Sequence, residues 1–216
     1  YILNVSMEPV IGMTLYDWIR MKNSKIGIPS FGAIENIIFT QIVMGIKHIH
    51  ANGVLHRDIK PSNIMITVSE HENIKEVLVK ILDFGLAYID HQRAISKDDG
   101  NDRVIDLNEA VKMNPPPMLV ETDTSDIGTY AYVAPELCDK KNDEYVYGKE
   151  VDVYSLGIIL LEMCFPFCTE MERYLEIKRI RETRKVPVKL WELLPKQAEL
   201  IQSLVAHPED RPSINE

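Results

Sequence analysis

Apolar residues recur along this chain at intervals that predict helices, and in one stretch they alternate as in a strand pair. Ile34, Ile37, Ile38, Ile42, Ile46 and Ile49 fall at helical spacing, and Gly53 stands where a helix end is usual, so a helix is predicted ahead of His56. Residues 151–165 are apolar nearly all round, which suits a helix buried at the centre of the fold. That run is too short, and too interrupted by Glu162, to span a membrane. Ala198, Ile201, Leu204 and Val205 mark a third helix and read as core. Between the first two helices, Ile64 to Val68 is a short apolar run, Ser69 to Asn73 a polar connection, and Val77, Val79 and Ile81 alternate in strand fashion. These predict a hairpin.

The hairpin joins two polar motifs. His56-Arg57-Asp58-Ile59-Lys60-Pro61-Ser62-Asn63 precedes it and Asp83-Phe84-Gly85 follows it. Transfer of the γ-phosphoryl group of ATP asks for positioning and charge neutralisation more than covalent help, and each motif residue suits one of those tasks. Asp58 can accept or orient the proton of an attacking hydroxyl, and Lys60 can reach the transferring phosphate from the same loop. Asn63 and Asp83 offer hard oxygen ligands for Mg²⁺, which takes few protein ligands and fills its shell with phosphate oxygens and water. Either motif alone arises by chance, as ordinary loop carboxylates; in this order and at this spacing they are specific. His56 reads as structural. His48, His50, His71, His91 and His207 show no metal-ligand spacing with cysteines, so they read as packed or solvated.

Beyond these motifs the chain carries Gly128-Thr129, Ala134-Pro135-Glu136, Asp152 and Arg211-Pro212, in an order that resembles the protein kinase family along almost its whole length. The resemblance implies an α+β fold: the mainly helical large lobe of a kinase, with a short β-hairpin, spanning residues 1–216 as a partial kinase domain. It further implies an interior ion pair between Glu136 and Arg211, and hydrogen bonds from Asp152 to the backbone of the catalytic loop. Met7 matches the gatekeeper position. By that match the Glu8 carbonyl and Val10 amide face the adenine edge of ATP, Pro9 sits where no amide hydrogen is required, and Met65 forms the floor beneath the base. The plainer alternative makes Met7 and Met65 gap-filling core residues. A glycine-rich phosphate loop, a strand lysine and its helix glutamate are not found before His56, and the chain stops shortly after Arg211. A small lobe and a last helix are therefore expected to belong to a longer parent protein, and this piece alone is expected to be inactive.

Lys60 two residues after Asp58, and Gly128-Thr129 ahead of Ala134-Pro135-Glu136, resemble serine/threonine kinases. Arg57 beside Asp58 implies control by a phosphorylated loop whose phosphate pairs with this guanidinium. That loop, 86–127, is longer than a compact domain normally holds without structure. Its acidic residues and Pro115-Pro116-Pro117 predict partial disorder. Thr122, Thr124 and Ser125 are candidate phosphosites; Thr124 is the best of them, at a spacing from Thr129 that resembles one subfamily. Leu15-Tyr16-Asp17-Trp18-Ile19, Lys149-Glu150-Val151-Asp152 and, above all, Phe165 to Arg173 resemble the kinases of the α subunit of translation initiation factor 2, in particular the endoplasmic-reticulum stress branch. The resemblance places Thr169, Glu172 and Arg173 on a substrate-docking helix, where packed anchors select one folded protein. In the alternative, Met171, Leu175 and Ile177 merely pack. The chain departs from the subfamily at Ala134, where serine is common, and in Tyr130-Ala131-Tyr132-Val133.

A net charge of -9 at pH 7 argues against nucleic acid as a direct partner, because no basic stripe rises above the acidic background. Arg179, Arg181, Arg184 and Lys185 form a local exception that reads as a solvated helix surface, or as a contact for an acidic substrate face. Cys138, Cys164 and Cys168 lie in no C-x-x-C pair and read as free thiols in a reducing compartment. The resemblance implies a cytoplasmic-face enzyme whose parent is anchored at the endoplasmic reticulum and forms any homodimer through other regions. Two further readings stand beside it: a different serine/threonine kinase, or a pseudokinase-like module that docks a partner without transferring phosphate.

Overall fold

The computed structural model describes residues 9–25, 27–71, 74–89, 130–138 and 148–214. Met7, Glu8, Thr122, Thr124, Ser125, Thr129 and most of the 86–127 stretch lie outside them. The described residues form an α+β fold dominated by helices. β1 (Met13–Thr14) leads into α1 (Leu15–Asn23), α2 spans Ala33–Ala51, and β2 is Val54–Leu55. β3 (Ile64–His71) and β4 (Ile74–Ile81) make the predicted hairpin, β5 is Tyr88–Ile89, and α3 (Glu150–Cys164), α4 (Glu170–Thr183), α5 (Val188–Leu193) and α6 (Pro195–Leu204) complete the order.

Local chemistry sets the element boundaries. Thr14 starts α1 by accepting from the Asp17 amide at 3.1 Å while its hydroxyl donates to the Asp17 carboxylate at 2.7 Å. α2 begins at Gly32, whose amide donates to Glu35 Oε2 at 2.9 Å. It ends at Asn52, and Gly53 then takes the left-handed φ of 71° that reverses the chain into β2.

β3 lies between β1 and β4 in an antiparallel sheet, with Ile64 opposite Ile81 and Val68 opposite Val77, while β2 and β5 pair separately. The exposed edge of β4 is closed by a side chain. Gln41 of α2 donates to the Val77 carbonyl at 2.7 Å and accepts from the Val79 amide at 3.0 Å, which fastens the helix to the hairpin.

The core gathers around α3, in which every residue from Val151 to Cys164 is buried, as the all-round apolar run predicts. α6 lies so close that a Cβ on Gly157 would stand 2.9 Å from both Leu204 Cβ and Val205 Cγ1, a spacing only glycine permits. Ile38, Ile42 and Ile46 of α2 are fully buried against this core, but Ile34 and Ile37 are 40% and 46% exposed. The predicted six-isoleucine face is thus narrower than its spacing suggests: Ile34 belongs to the first helical turn and Ile37 is rotated one position off the buried stripe.

Two cations tie the ends of α3 to the rest. Arg211 clamps Glu136 through Nη1 at 2.5 Å and Nη2 at 2.9 Å, and also donates to the carbonyls of Ala206 at 3.0 Å and Glu150 at 2.9 Å. Lys22, buried at the other end, donates to Met163 O at 2.6 Å and Ser30 O at 2.9 Å and pairs with Glu35 at 3.2 Å. It thereby satisfies a carbonyl in the last turn of α3.

Cys138, Cys164 and Cys168 are free thiols. Burial pushes the Cys164 thiol up to about 12, outweighing the nearby Lys22 charge that favours the thiolate.

Arg211→Ala removes the bidentate clamp on Glu136 together with the bonds to the Ala206 and Glu150 carbonyls, and is expected to remove about 3–5 kcal/mol of stability in a urea titration. The neutral Cys164 thiol contributes stability that is complete below its ordinary pKa of 9 and lost as pH rises through about 12. In the native protein at pH 8, a maleimide is accordingly expected to label exposed Cys168 well before Cys164, read by mass spectrometry.

Candidate active site

The segment from His56 to Asn63 contains no regular strand, and what fixes it is a buried carboxylate from α3. Asp152, fully buried in the first turn of that helix, accepts from the His56 amide at 2.9 Å, the Arg57 amide at 2.8 Å and His50 Nε2 at 2.8 Å. An ionised acceptor holding neighbouring backbone amides makes strong, short bonds and leaves the loop little freedom. The hydrogen bond that the resemblance assigns to Asp152 is therefore present.

This grip also sustains an unfavourable backbone. Arg57 takes φ 64°, a left-handed conformation that costs a non-glycine residue about 1–3 kcal/mol unless its surroundings over-determine it. Here they do. Asp152 holds its amide, its Nε donates to the Leu86 carbonyl at 2.6 Å, and its guanidinium lies 5.6 Å from the Tyr88 ring centroid. Burial lowers the Arg57 pKa, and the Asp152 charge works against that shift.

His56 is fully buried and structural, as its sequence context suggests. Its Nδ1 accepts from the Asp58 amide at 3.4 Å and its Nε2 donates to the Leu82 carbonyl at 3.1 Å, while its ring rests on Phe84 with centroids 4.8 Å apart. One imidazole thus links the two motifs across the hairpin.

Asp58 emerges from this frame with its side chain engaged by two neighbours. Lys60 Nζ lies 2.8 Å from Asp58 Oδ2, and Asn63 Nδ2 donates to the same oxygen at 2.9 Å and to the Asp58 carbonyl at 2.9 Å. A single turn, Pro61–Asn63, brings Asn63 back onto Asp58. Across the hairpin, the Leu82 amide donates to the Asn63 carbonyl at 2.8 Å, so the residue before Asp83 is tied to the loop that carries Asp58. Asp83 is exposed, adopts φ 65° and accepts from the Gly85 amide at 3.1 Å.

The structure therefore brings Asp58, Lys60, Asn63 and Asp83 to one end of the hairpin. Their donor chemistry fits Mg²⁺, since an amide oxygen and a carboxylate are hard ligands that leave most of the coordination shell to phosphate and water. Among the described residues no group of three or more histidines, cysteines or carboxylates comes together to hold a metal by itself.

Of the residues expected around adenine, Val10, expected at its edge, is half-buried on the segment that runs beside β3, and Met65, expected as its floor, is half-buried where β3 pairs with Thr14. The Thr67 hydroxyl fixes that segment by donating to the Ile11 carbonyl at 2.7 Å. Glu8 lies outside the described residues.

Thr169, Glu172 and Arg173 sit together at the start of α4, the first two exposed and engaged in capping the helix, the third turned to the fold. Thr169 accepts from the Glu172 amide at 3.0 Å and Glu172 accepts from the Cys168 amide at 2.7 Å, a reciprocal helix cap that the T-x-x-E pattern could have revealed. Arg173 points inward to Glu162 and to the Tyr132 hydroxyl. Of the apolar residues on α4, Met171 and Leu175 face outward, 64% and 55% exposed, whereas Ile177 is buried.

Comparison with known proteins agrees with this arrangement. The family model for the protein kinase domain matches residues 2–216. The eIF-2-alpha kinase GCN2 of Schizosaccharomyces pombe is 37% identical over 83% of this chain and 10% of its own length. Probable serine/threonine-protein kinase ifkA of Dictyostelium discoideum is 35% identical over 82% of this chain and 8% of its own length. Eukaryotic translation initiation factor 2-alpha kinase 3 of Rattus norvegicus is 32% identical over 81% of this chain and 14% of its own length. The chain thus spans roughly a tenth of the length of these relatives.

Asp152→Asn replaces an acceptor oxygen with a donor facing backbone amides. It is expected to cost about 1–3 kcal/mol in chemical denaturation, with the 54–60 amides losing hydrogen-exchange protection first.

Proposed function

This chain belongs to the protein kinase domain family, and we propose that its parent protein is a serine/threonine kinase that phosphorylates a folded protein, the α subunit of translation initiation factor 2, to restrain translation under stress. The observation that carries the catalytic part is the placement of Asp58, Lys60 and Asn63 on a loop held by Asp152, with Asp83 tied to the same loop through Leu82. Asp58 orients the substrate hydroxyl and takes its proton as that oxygen bonds to the γ-phosphorus and the bond from the γ-phosphorus to the bridging oxygen breaks, releasing ADP. Lys60, poised on the same carboxylate, meets the charge of the transferred group. Asn63 and Asp83 would hold Mg²⁺, which supplies charge neutralisation for the phosphates of ATP. Val10 and Met65, with Glu8, contribute the adenine site. Arg57 and the Thr124 and Thr129 region form its regulatory side. Arg57 meanwhile rests on the Leu86 carbonyl and the Tyr88 ring.

The substrate reading is supported by relatives that carry the initiation factor 2-alpha kinase name, and by the exposed Met171 and Leu175 on α4, which suit an apolar contact with a folded partner. Serine/threonine specificity is supported by Lys60 and by the serine/threonine-protein kinase relative. The same reading puts the active site on the cytoplasmic side, and no helix among the described residues is long and apolar enough to cross a membrane.

The test is phosphate transfer by the full-length protein with Mg-ATP, offered the initiation factor α subunit beside a generic basic protein and with Asp58→Ala as control. Selective labelling of the α subunit, reduced at least a hundredfold by Asp58→Ala, is the expected result. Labelling of the generic protein alone would remove the substrate assignment. Absence of transfer to either would favour the pseudokinase-like module.

A further inference from the structure

α4 is weakly held by apolar packing, since only Ile177 and Ile180 are buried along its Glu170–Thr183 length. Its remaining grip is ionic and directed at one short segment. Arg173 pairs with the buried Glu162 of α3 and donates through Nη2 to the Tyr132 hydroxyl at 2.7 Å, and that hydroxyl donates to Glu162 Oε2 at 2.6 Å. Burial works against the Arg173 charge, but the charge and hydrogen bonds of Glu162 and Tyr132 together outweigh it and hold Arg173 above its ordinary pKa. Eight residues on, Arg181 donates to the carbonyls of Val133 and Tyr130 and stacks 4.4 Å from the Tyr130 ring centroid.

Both arginines therefore end on residues 130–133, the stretch directly ahead of Pro135–Cys138, whose Glu136 is fixed by Arg211. Ser155 of α3 adds a bond to the Tyr132 carbonyl at 2.8 Å, so the far side of this segment is anchored to the core. The space around Arg173 is not close-packed. It lines two concavities, of about 390 and 350 Å³, one bordered by Tyr16 and Phe167 and the other by Tyr130 and Tyr174. Arg173 is the connector between them.

We infer that Arg173, through Glu162 and Tyr132, is a positioning residue that transmits the seating of a folded substrate on α4 to the 130–133 segment, which Ser155 ties to α3, the helix whose Asp152 holds the His56–Asn63 loop. This rests on the reading of α4 as the docking helix. Met171 and Leu175 give a folded partner its contact, and a displacement of α4 must pull on Tyr130, Tyr132 and Val133, because the arginines form most of the attachment. A short peptide that never touches α4 draws nothing from this link. Arg173 thus selects for folded substrates without touching them.

The experiment uses the full-length protein and two variants. Glu162→Gln with Arg173→Gln removes both charges together, which avoids stranding a buried ion, and Tyr132→Phe keeps the ring but removes the shared hydroxyl. For each, kcat/KM is measured on the folded α subunit and on a short serine-containing peptide, alongside the thermal midpoint. The inference predicts that the ratio of folded-substrate to peptide kcat/KM falls at least tenfold in the double variant and at least threefold in Tyr132→Phe, with kcat on the folded substrate changing more than KM. A parallel loss on both substrates, tracking a lowered midpoint, would reduce the network to a stability element and overturn the inference. An unchanged ratio in well-folded variants would overturn it too. If the unmodified protein phosphorylates the peptide but not the α subunit, the docking reading itself fails, and the inference with it.

Discussion

The structure depends on one buried carboxylate. Asp152 stands fully buried in the first turn of α3 and accepts hydrogen bonds from two consecutive loop amides and from His50. A charge in that position is tolerable only while its donors stay in place, so the core helix and the His56–Asn63 loop stabilise one another. Helix geometry adds to the effect, because the first turn of a helix favours a negative side chain. From this arrangement come the left-handed Arg57, the packed His56 and the outward placement of Asp58.

A second principle governs the periphery. Apolar packing makes α2, α3 and α6 a continuous core into which α1 sends Leu15 and Ile19 and α4 sends Ile177 and Ile180, and cations that reach carbonyls and carboxylates add to the hold on both: Lys22 on α1, Arg173 and Arg181 on α4. Directed polar contacts fix position with less buried area than packing needs, and they leave the outer face of a helix available to a partner. The packed core thus carries the His56–Asn63 loop, and α4 turns Met171 and Leu175 to the outside.

Much of this was legible in the chain. The all-round apolar run announced α3, the alternation of Val77, Val79 and Ile81 announced β4, and the two motifs flanking the hairpin come together at one end of it. The Glu136–Arg211 pair and the role of Asp152 followed from family resemblance and are present in the geometry. Other features depended on partners far apart in sequence, which periodicity does not encode. Gln41 closing the edge of β4, Lys22 reaching Met163, and Arg173 turning to Glu162 are of this kind. The spacing of Ile34 and Ile37 marks the helix but not their exposure, because spacing gives a face and not the width of what covers it. Thr169 and Glu172 carry a local capping signal in the T-x-x-E pattern.

The account's central claim is that the Asp152-held loop presents Asp58 to a substrate hydroxyl, with Mg-ATP bound independently of it. Single-turnover phosphate transfer by the full-length protein and by Asp58→Asn, with Mg-ATP affinity measured on the same samples, tests this most directly. The aspartate's shape and one acceptor oxygen for Lys60 and Asn63 are retained in that variant. The account predicts equal nucleotide affinity within about twofold and transfer slower by about 10²–10⁴-fold, the usual worth of a positioned base. Transfer at the unmodified rate, or a loss explained wholly by weaker nucleotide binding, would contradict it.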